Sequence, residues 1–225
     1  MSKYAKAFGA GTGDPVIRRS PGFLSEIKRD KKAVFGLIVL GIFLIFAVFG
    51  PWLAPHDPNA MMFDMLKPPS LEFPLGTDDL GRDLFSRVIH GTQISLFVGV
   101  STVAIALVFG VALGLIAGYF GGWLDYVIMR YIDLQWAFPN FIIAVYLVAV
   151  FGAGLLNVII AISLAFLDDF ARIARSMVLT LKEEQYVDAA RVSGASSFRI
   201  LRQHILPNAA APIIVQATVS VSYAI

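Results

Sequence analysis

The sequence has no cysteine, which excludes disulfides and thiolate metal or redox sites but leaves the compartment open. Histidine is nearly as scarce. His56, His90 and His204 lie far apart, and no run among them has metal-ligand spacing such as HExxH. Charge is the most informative shortage: Lys, Arg, Asp and Glu make up 15% of the 225 residues, against roughly 25% in a soluble domain. A net charge of +2 leaves no footprint for nucleic acid. No GxxxxGK[ST] phosphate loop occurs, so if the chain works in an ATP-driven process the nucleotide site belongs to another chain. No Ser/His/Asp or Cys/His constellation suggests a hydrolase. What is abundant is apolar: 57% of residues even before the 19 glycines are counted, with mean hydropathy +0.74. A single core cannot absorb that excess, because a chain of this size still needs a polar surface. This argues against a soluble globular enzyme, and against a disordered or collagen-like chain.

The longest stretches without a charged side chain place the excess. They run over 33–56, 88–124, 134–167 and 203–225. A membrane-crossing helix needs about 20 apolar residues. The first stretch exceeds the roughly 7–15-residue apolar core of a signal peptide and reads as span one, 33–54. The second holds span two, about Ile94–Gly118, followed by a short turn at Gly121-Gly122. Span three begins near Trp123 and carries Asp125, Arg130 and Asp133 in its first turns. Arg130 and Asp133 are spaced to pair at a helix end, with an intramembrane ionic site as the alternative. Pro139 removes a backbone hydrogen bond and predicts a kink. Gly152, Gly154 and Asn157 predict a tight turn between span three and span four, which runs from Leu155 past Asp168 to about Leu181. Asp168 and Arg172, at i,i+4, support that helix. Span five follows Pro207. The expected fold class is therefore all-α, a polytopic integral membrane protein with five predicted transmembrane helices.

The basic residues set an orientation. Residues 1–32 hold eight Lys or Arg against three acids, and 55–87 holds three against six. The positive-inside rule places the N-terminus in the cytoplasm. Alternation then puts the 55–90 loop outside, the 119–123 turn inside, the 152–154 turn outside and 168–207 inside. That last segment carries six Lys or Arg, in agreement. Within the 1–32 arm, Phe23, Leu24 and Ile27 share a helical face beside Lys28, Arg29, Lys31 and Lys32. This predicts an interfacial amphipathic helix; a basic flank that merely orients span one is the alternative. The remaining 91–225 forms the membrane core.

Within that core, 182–207 is a polar hairpin. A first helix stops at Gly194, a residue suited to a helix C-terminus, and Ser196 or Ser197 caps a second, which Pro207 ends or hands over to span five. Ala189 and Ala190 give the first helix a small-residue face open to a partner, with Tyr186 and Val187 adding apolar bulk. A plain interfacial hairpin and a DNA-reading helix–turn–helix are the alternatives. The acids Glu183, Glu184 and Asp188 count against the second.

These residues resemble a known family. Asp188-Ala189-Ala190, three residues, Gly194, then Leu206-Pro207 resemble the EAA motif of ABC importer permeases. Pro74-Leu75-Gly76-Thr77-Asp78-Asp79-Leu80-Gly81-Arg82-Asp83 resembles the dipeptide/oligopeptide/nickel subfamily, as do Ala117–Gly122 and Ala137-Phe138-Pro139. The resemblance covers about 28–225. It implies a permease subunit of an ATP-driven importer for peptides, nickel or a similar small solute, in the cell inner membrane, working by alternating access. Tyr186, Asp188, Ala189, Ala190, Gly194, Ala195 and Pro207 would form the loop that couples to an ATPase. It implies partners: cytoplasmic ABC ATPase subunits, a second permease chain, an extracytoplasmic substrate-binding protein and membrane lipid, with no nucleic acid. It implies no cofactor on this chain, ATP and Mg²⁺ belonging to the partner subunits, and no enzyme activity of its own. Three departures stand out. Asp188 replaces the usual Glu, His204 replaces the usual Ile, and the chain ends at Ile225, about one span early.

Other features read structurally first. Gly110, Gly114 and Gly118 recur every four residues in span two, which lets a neighbouring helix approach closely; a substrate-lining groove is the alternative. Gly76, Thr77, Asp78, Gly81, Arg82 and Asp83 form an extracytoplasmic motif, not spaced as a calcium loop. Helix capping by Asp78 or Asp79 and an Arg82–Asp83 pair are the expected contacts. Of the few polar residues inside spans, Gln135, Asn140, Asn157, Ser163, Gln216, Thr218 and Ser220 suit bonds between helices. The competing functions are a secondary transporter, for which Asp133 is the only intramembrane charge near enough, and a truncated, non-transporting scaffold.

Overall fold

The structure, a computed structural model, describes residues 28–225. The amphipathic reading of Phe23, Leu24 and Ile27 lies outside the described residues. The chain divides into two compact units, one up to Ile45 and one from Phe46 onward. In the first, Asp30 Oδ1 accepts hydrogen bonds from the backbone N–H groups of Lys32 and Ala33 and opens helix α1, Lys31–Leu53.

The second unit is helical throughout its membrane part. Helix α2, Leu84–Phe120, has 37 residues, about 55 Å at 1.5 Å per residue, and exceeds a bilayer core of about 30 Å. It begins earlier than the uncharged stretch suggests because Asp83 caps it: the carboxylate accepts from the N–H groups of Phe85 and Ser86. Gly121 and Gly122, both at positive φ, turn the chain into α3, Gly122–Trp136. Ala137-Phe138-Pro139 then breaks the path, and α4, Asn140–Phe151, leaves at 94° to α3. The bend at Pro139 is thus sharper than a kink. Gly152, φ +89, makes the next turn, which Asn157 Nδ2 closes by donating to the carbonyls of Phe151 and Gly152.

The region expected to form span four is two helices, α5, Leu155–Ala165, and α6, Leu167–Leu181, with a break at Phe166. After α7, Gln185–Val192, a helical path runs without interruption from α8, Ser197–Ile200, through a wide π turn, Leu201–Ile205, into α9, Leu206–Ala224. Pro207 therefore hands the helix on. Its missing N–H falls at the start of α9, where the π turn has already widened the ladder. Among the described residues, three helices, α1, α2 and the path from Ser197 to Ala224, are long and apolar enough to cross a membrane, or four if the bent α3–α4 pair counts as one. The α5–α6 region, expected as span four, falls short of that measure because the break at Phe166 leaves helices of 11 and 15 residues, the second of them charged.

The core lies where α2, α6 and α9 meet: Val103, Ala106, Val111, Phe170, Ala174, Ala209 and Ile213 are buried together. Ile132 of α3 packs with Leu167 and Ala171 of α6 beside it. Facing away, Phe97, Val100, Val108 and Phe109 of α2 and Phe141, Val145 and Tyr146 of α4 are exposed. Apolar residues on the outside are what a lipid environment or a hydrophobic partner requires.

Candidate functional site

The glycine repeat forms the tightest seam in the fold. A Cβ at Gly110 would sit 2.6 Å from Leu167 O and 2.7 Å from Phe170 Cβ. One at Gly114 would run into Ala171 O, and one at Gly118 would meet Val178 Cβ at 2.8 Å. The three glycines therefore let α6 lie directly on α2, by close backbone approach.

Ion pairs fasten α6 to α3. Arg175 donates to both carboxylate oxygens of Asp125, from Nε at 2.5 Å and from Nη2 at 2.6 Å. Arg172 Nη2 donates to Asp133 at 2.7 Å, and its guanidinium lies 4.5 Å from the centre of the Trp136 ring. Both arginines expected to act locally, or left without a role, thus bridge helices. Asp133 pairs with Arg172 and not with Arg130, and Asp168 has no partner at i+4. A side chain reaching across to a helix packed against its own is not visible in a one-helix spacing rule. Gln135 Nε2 also crosses, donating to Leu164 O at 2.7 Å.

α6 leads straight into the polar hairpin. Val187 of α7 is buried against Val178, Ile200 and Ile205, with Ala190 and Ala195 packed on the same cluster. Gly194, φ +78, ends α7: its N–H donates to Arg191 O and that of Ala195 to Ala190 O, the paired bonds of a Schellman motif. Ser196 Oγ then accepts from Arg199 N and caps α8. Pro207 lies in the first turn of α9. The outer face of the hairpin carries Tyr186, Asp188 and Ala189, all exposed, with Asp188 bonded to Arg191. Beside them Val192 is 90% and Phe198 71% exposed. Sequence reasoning passed over these two; their apolar character in an otherwise polar loop was the available signal.

The 55–87 loop is held by a small polar knot built from the glycine-aspartate motif. Thr77 Oγ1 accepts from Lys67 N at 2.8 Å and donates to Asp64 O at 2.7 Å. Gly76 and Gly81 have positive φ, and a Cβ on either would strike a carbonyl, of Lys67 or Phe63. Asp78 takes Arg82 Nε at 2.7 Å, so Arg82 pairs with Asp78 and not with Asp83. Asp83, fully buried, is the helix cap, and it also accepts from Ser86 Oγ at 2.6 Å and meets His56 Nδ1 at 3.2 Å. The His56 ring stacks on Phe73, 5.1 Å between centroids, with Phe63 edge-on at 4.9 Å. Burial alone would raise the two carboxyls; hydrogen bonds from Arg82 to Asp78, and from Ser86 and His56 to Asp83, outweigh it and hold both below the ordinary aspartate value. The described residues contain no cluster of three or more His, Cys, Asp or Glu able to hold a metal.

A long capped helix, a bent pair and a polar hairpin between two membrane helices define a helical membrane protein whose transverse packing is fixed by small residues and interhelical ion pairs. The chain belongs to the family of binding-protein-dependent transport system inner membrane components, whose model matches residues 110–225. Residues 22–69 match the N-terminal TM domain of oligopeptide transport permease C. Among its relatives, the dipeptide transport system permease protein DppC of Alkalihalophilus pseudofirmus is 43% identical over 205 residues, covering 89% of this chain and 66% of that protein. The di/tripeptide transport system permease protein DppC of Pseudomonas aeruginosa is 42% identical over 210 residues, covering 90% and 69%. The dipeptide permease DppC of Bacillus subtilis is 40% identical over 217 residues, covering 94% and 68%. The chain spans about two thirds of the length of the curated relatives it matches.

Proposed function

We propose that this chain is a permease subunit of an ATP-driven importer that moves di- or oligopeptides across the inner membrane by alternating access. The single observation that carries this reading is the continuity between its exposed hairpin and its membrane core. The hairpin face of Tyr186, Asp188, Ala189, Val192 and Phe198 stands on a buried cluster that includes Val178 of α6. α6 is in turn sealed to α2 by glycines and to α3 by Arg175–Asp125 and Arg172–Asp133. A push on the hairpin therefore moves helices as rigid bodies. The names of the relatives supply the substrate class. The pushing partner is a pair of cytoplasmic ATPases, which carry the ATP and Mg²⁺. A second permease chain completes the path, and a substrate-binding protein delivers peptide to the side of the 55–90 loop. The N-terminus and the hairpin then face the cytoplasm.

The test is uptake of a labelled dipeptide into proteoliposomes holding this chain with its co-purified partners and the binding protein. ATP-dependent uptake, abolished by Ala189→Arg together with loss of the ATPase from the purified complex, is the expected result. Uptake driven by an ion gradient without ATP would overturn it. Ala189 is the better site for this charge than Ala190, which is half-buried in the hairpin core.

A further inference from the structure

A cleft in the second unit lies between the bent helix α4, the α5–α6 break and the end of α9. Its volume is about 530 Å³, within the roughly 300–1,000 Å³ of small-molecule sites. Its walls are apolar, from Phe141, Val145 and Phe166 among others, with Asn140 and Tyr223 as neutral polar members and Asp169 as the one ionisable acid. Among the described residues, no Lys, Arg or His lies within salt-bridge distance of Asp169. Its partner is neutral: Gln216 Nε2 donates to Oδ2 at 3.4 Å and also reaches Ser220 Oγ at 3.3 Å. The glutamine joins α9 to α6 and fixes the carboxylate against the cleft, yet brings no positive charge. Arg172, one turn further along α6, acts on Asp169 through its charge alone and is bonded to Asp133, and Arg175, nearly two turns along, is bonded to Asp125.

An acid at the wall of an apolar cavity is costly and is a candidate contact for an ion or substrate. A carboxylate at the wall of an apolar cleft, bonded to no cation and with Asp168 beside it, has one natural complement, a positively charged group able to donate hydrogen bonds. We infer that Asp169, oriented by Gln216, recognises the ammonium group of a substrate in this cleft, and so selects amine-bearing peptides over neutral ones. This inference rests on the importer reading above for the identity of the substrate, but not for the chemistry of the site. The bend at Pro139 contributes, because it turns α4 to form one wall.

Two measurements test it. In proteoliposomes, Asp169→Asn is expected to lower ATP-dependent uptake of dialanine about tenfold or more, with Asp169→Glu recovering part of the loss. Uptake at the wild-type rate by Asp169→Asn would overturn the inference. Independently of transport, dicyclohexylcarbodiimide is expected to label Asp169 in the wild-type complex. Dialanine should protect against labelling, and N-acetyl-dialanine should not. Equal labelling with and without dialanine, equal protection by both peptides, or no labelling at all because another segment fills the cleft would each overturn it. Protection by dialanine in a complex that shows no ATP-driven uptake would uphold the ammonium site while refuting the importer reading.

Discussion

A glycine at a seam and a glycine in open space are the same residue with opposite consequences. At Gly114, a Cβ would strike Ala171 O and come within 2.7 Å of Ala174 Cβ, whereas at Gly91 nothing lies within 4 Å. Gly114→Val should therefore lower stability by about 1–3 kcal/mol through overpacking. Gly91→Ala should raise it by up to about 1 kcal/mol, because alanine is the better helix former. Thermal unfolding of both variants in one detergent checks the contrast. The acids of the 55–87 loop give a second prediction. Asp78 and Asp83 are held below the ordinary aspartate value, so their stabilisation is complete above that value and fades as pH falls through their folded values. The loop should resist an acid protease at about pH 5 and be cut by about pH 2. Asp83→Asn should be cut at both, since its amide can no longer accept as two carboxylate oxygens do.

At the level of elements, what was legible followed from local chemistry. The helix ends at Gly121 and Gly152, the cap at Ser196 and the Gly194 terminus all depend on residues adjacent in sequence, and the structure has them where the sequence puts them. The small-residue spacing of α2 likewise announced close packing, although not against which helix. Long-range pairing was hidden. Arg130 and Asp133 satisfy a spacing rule yet do not pair, because Arg172 reaches Asp133 from 39 residues away. Asp169 and Gln216 meet across 47 residues, and nothing in either neighbourhood announces the other. The cap of α2 was assigned to Asp78 or Asp79, since several aspartates precede the helix and only the folded loop selects Asp83. The α3–α6 pairing carries its own prediction. Asp125 and Arg175 are each about a quarter exposed, at 21% and 31%, and bonded twice. Arg175→Ala should cost about 1–2 kcal/mol, and a double-mutant cycle with Asp125→Ala should show most of that loss as coupling. Additive losses would mean that the two side chains act apart.

For the whole molecule, the number of crossings turns on the α5–α6 region. Three uninterrupted apolar helices, with the bent α3–α4 pair as a fourth, were anticipated as part of a five-span pattern. The α5–α6 region reads differently because its apolar half is short and its polar half is pinned by arginines to α3. If that region nonetheless crosses as a broken span, an impermeant outside reagent should label Gly154→Cys in intact cells and leave Ser197→Cys untouched. Labelling of both or of neither would make α5–α6 a re-entrant element.

The knot at Asp83 also bears on how such a chain is made. The backbone N–H of His56 donates to Ser86 Oγ, and the His56 ring meets Asp83, so the residues just after α1 are tied to the first turn of α2 across 30 residues. None of these bonds forms until the whole intervening loop has been made and α2 has emerged behind it. During synthesis, a ribosome that has threaded only α1 holds an untied end. Closure of the knot would therefore mark the moment at which the first two helices are committed as a pair, and variants at Asp83 or Ser86 should fail at biogenesis and quality control before they fail at transport.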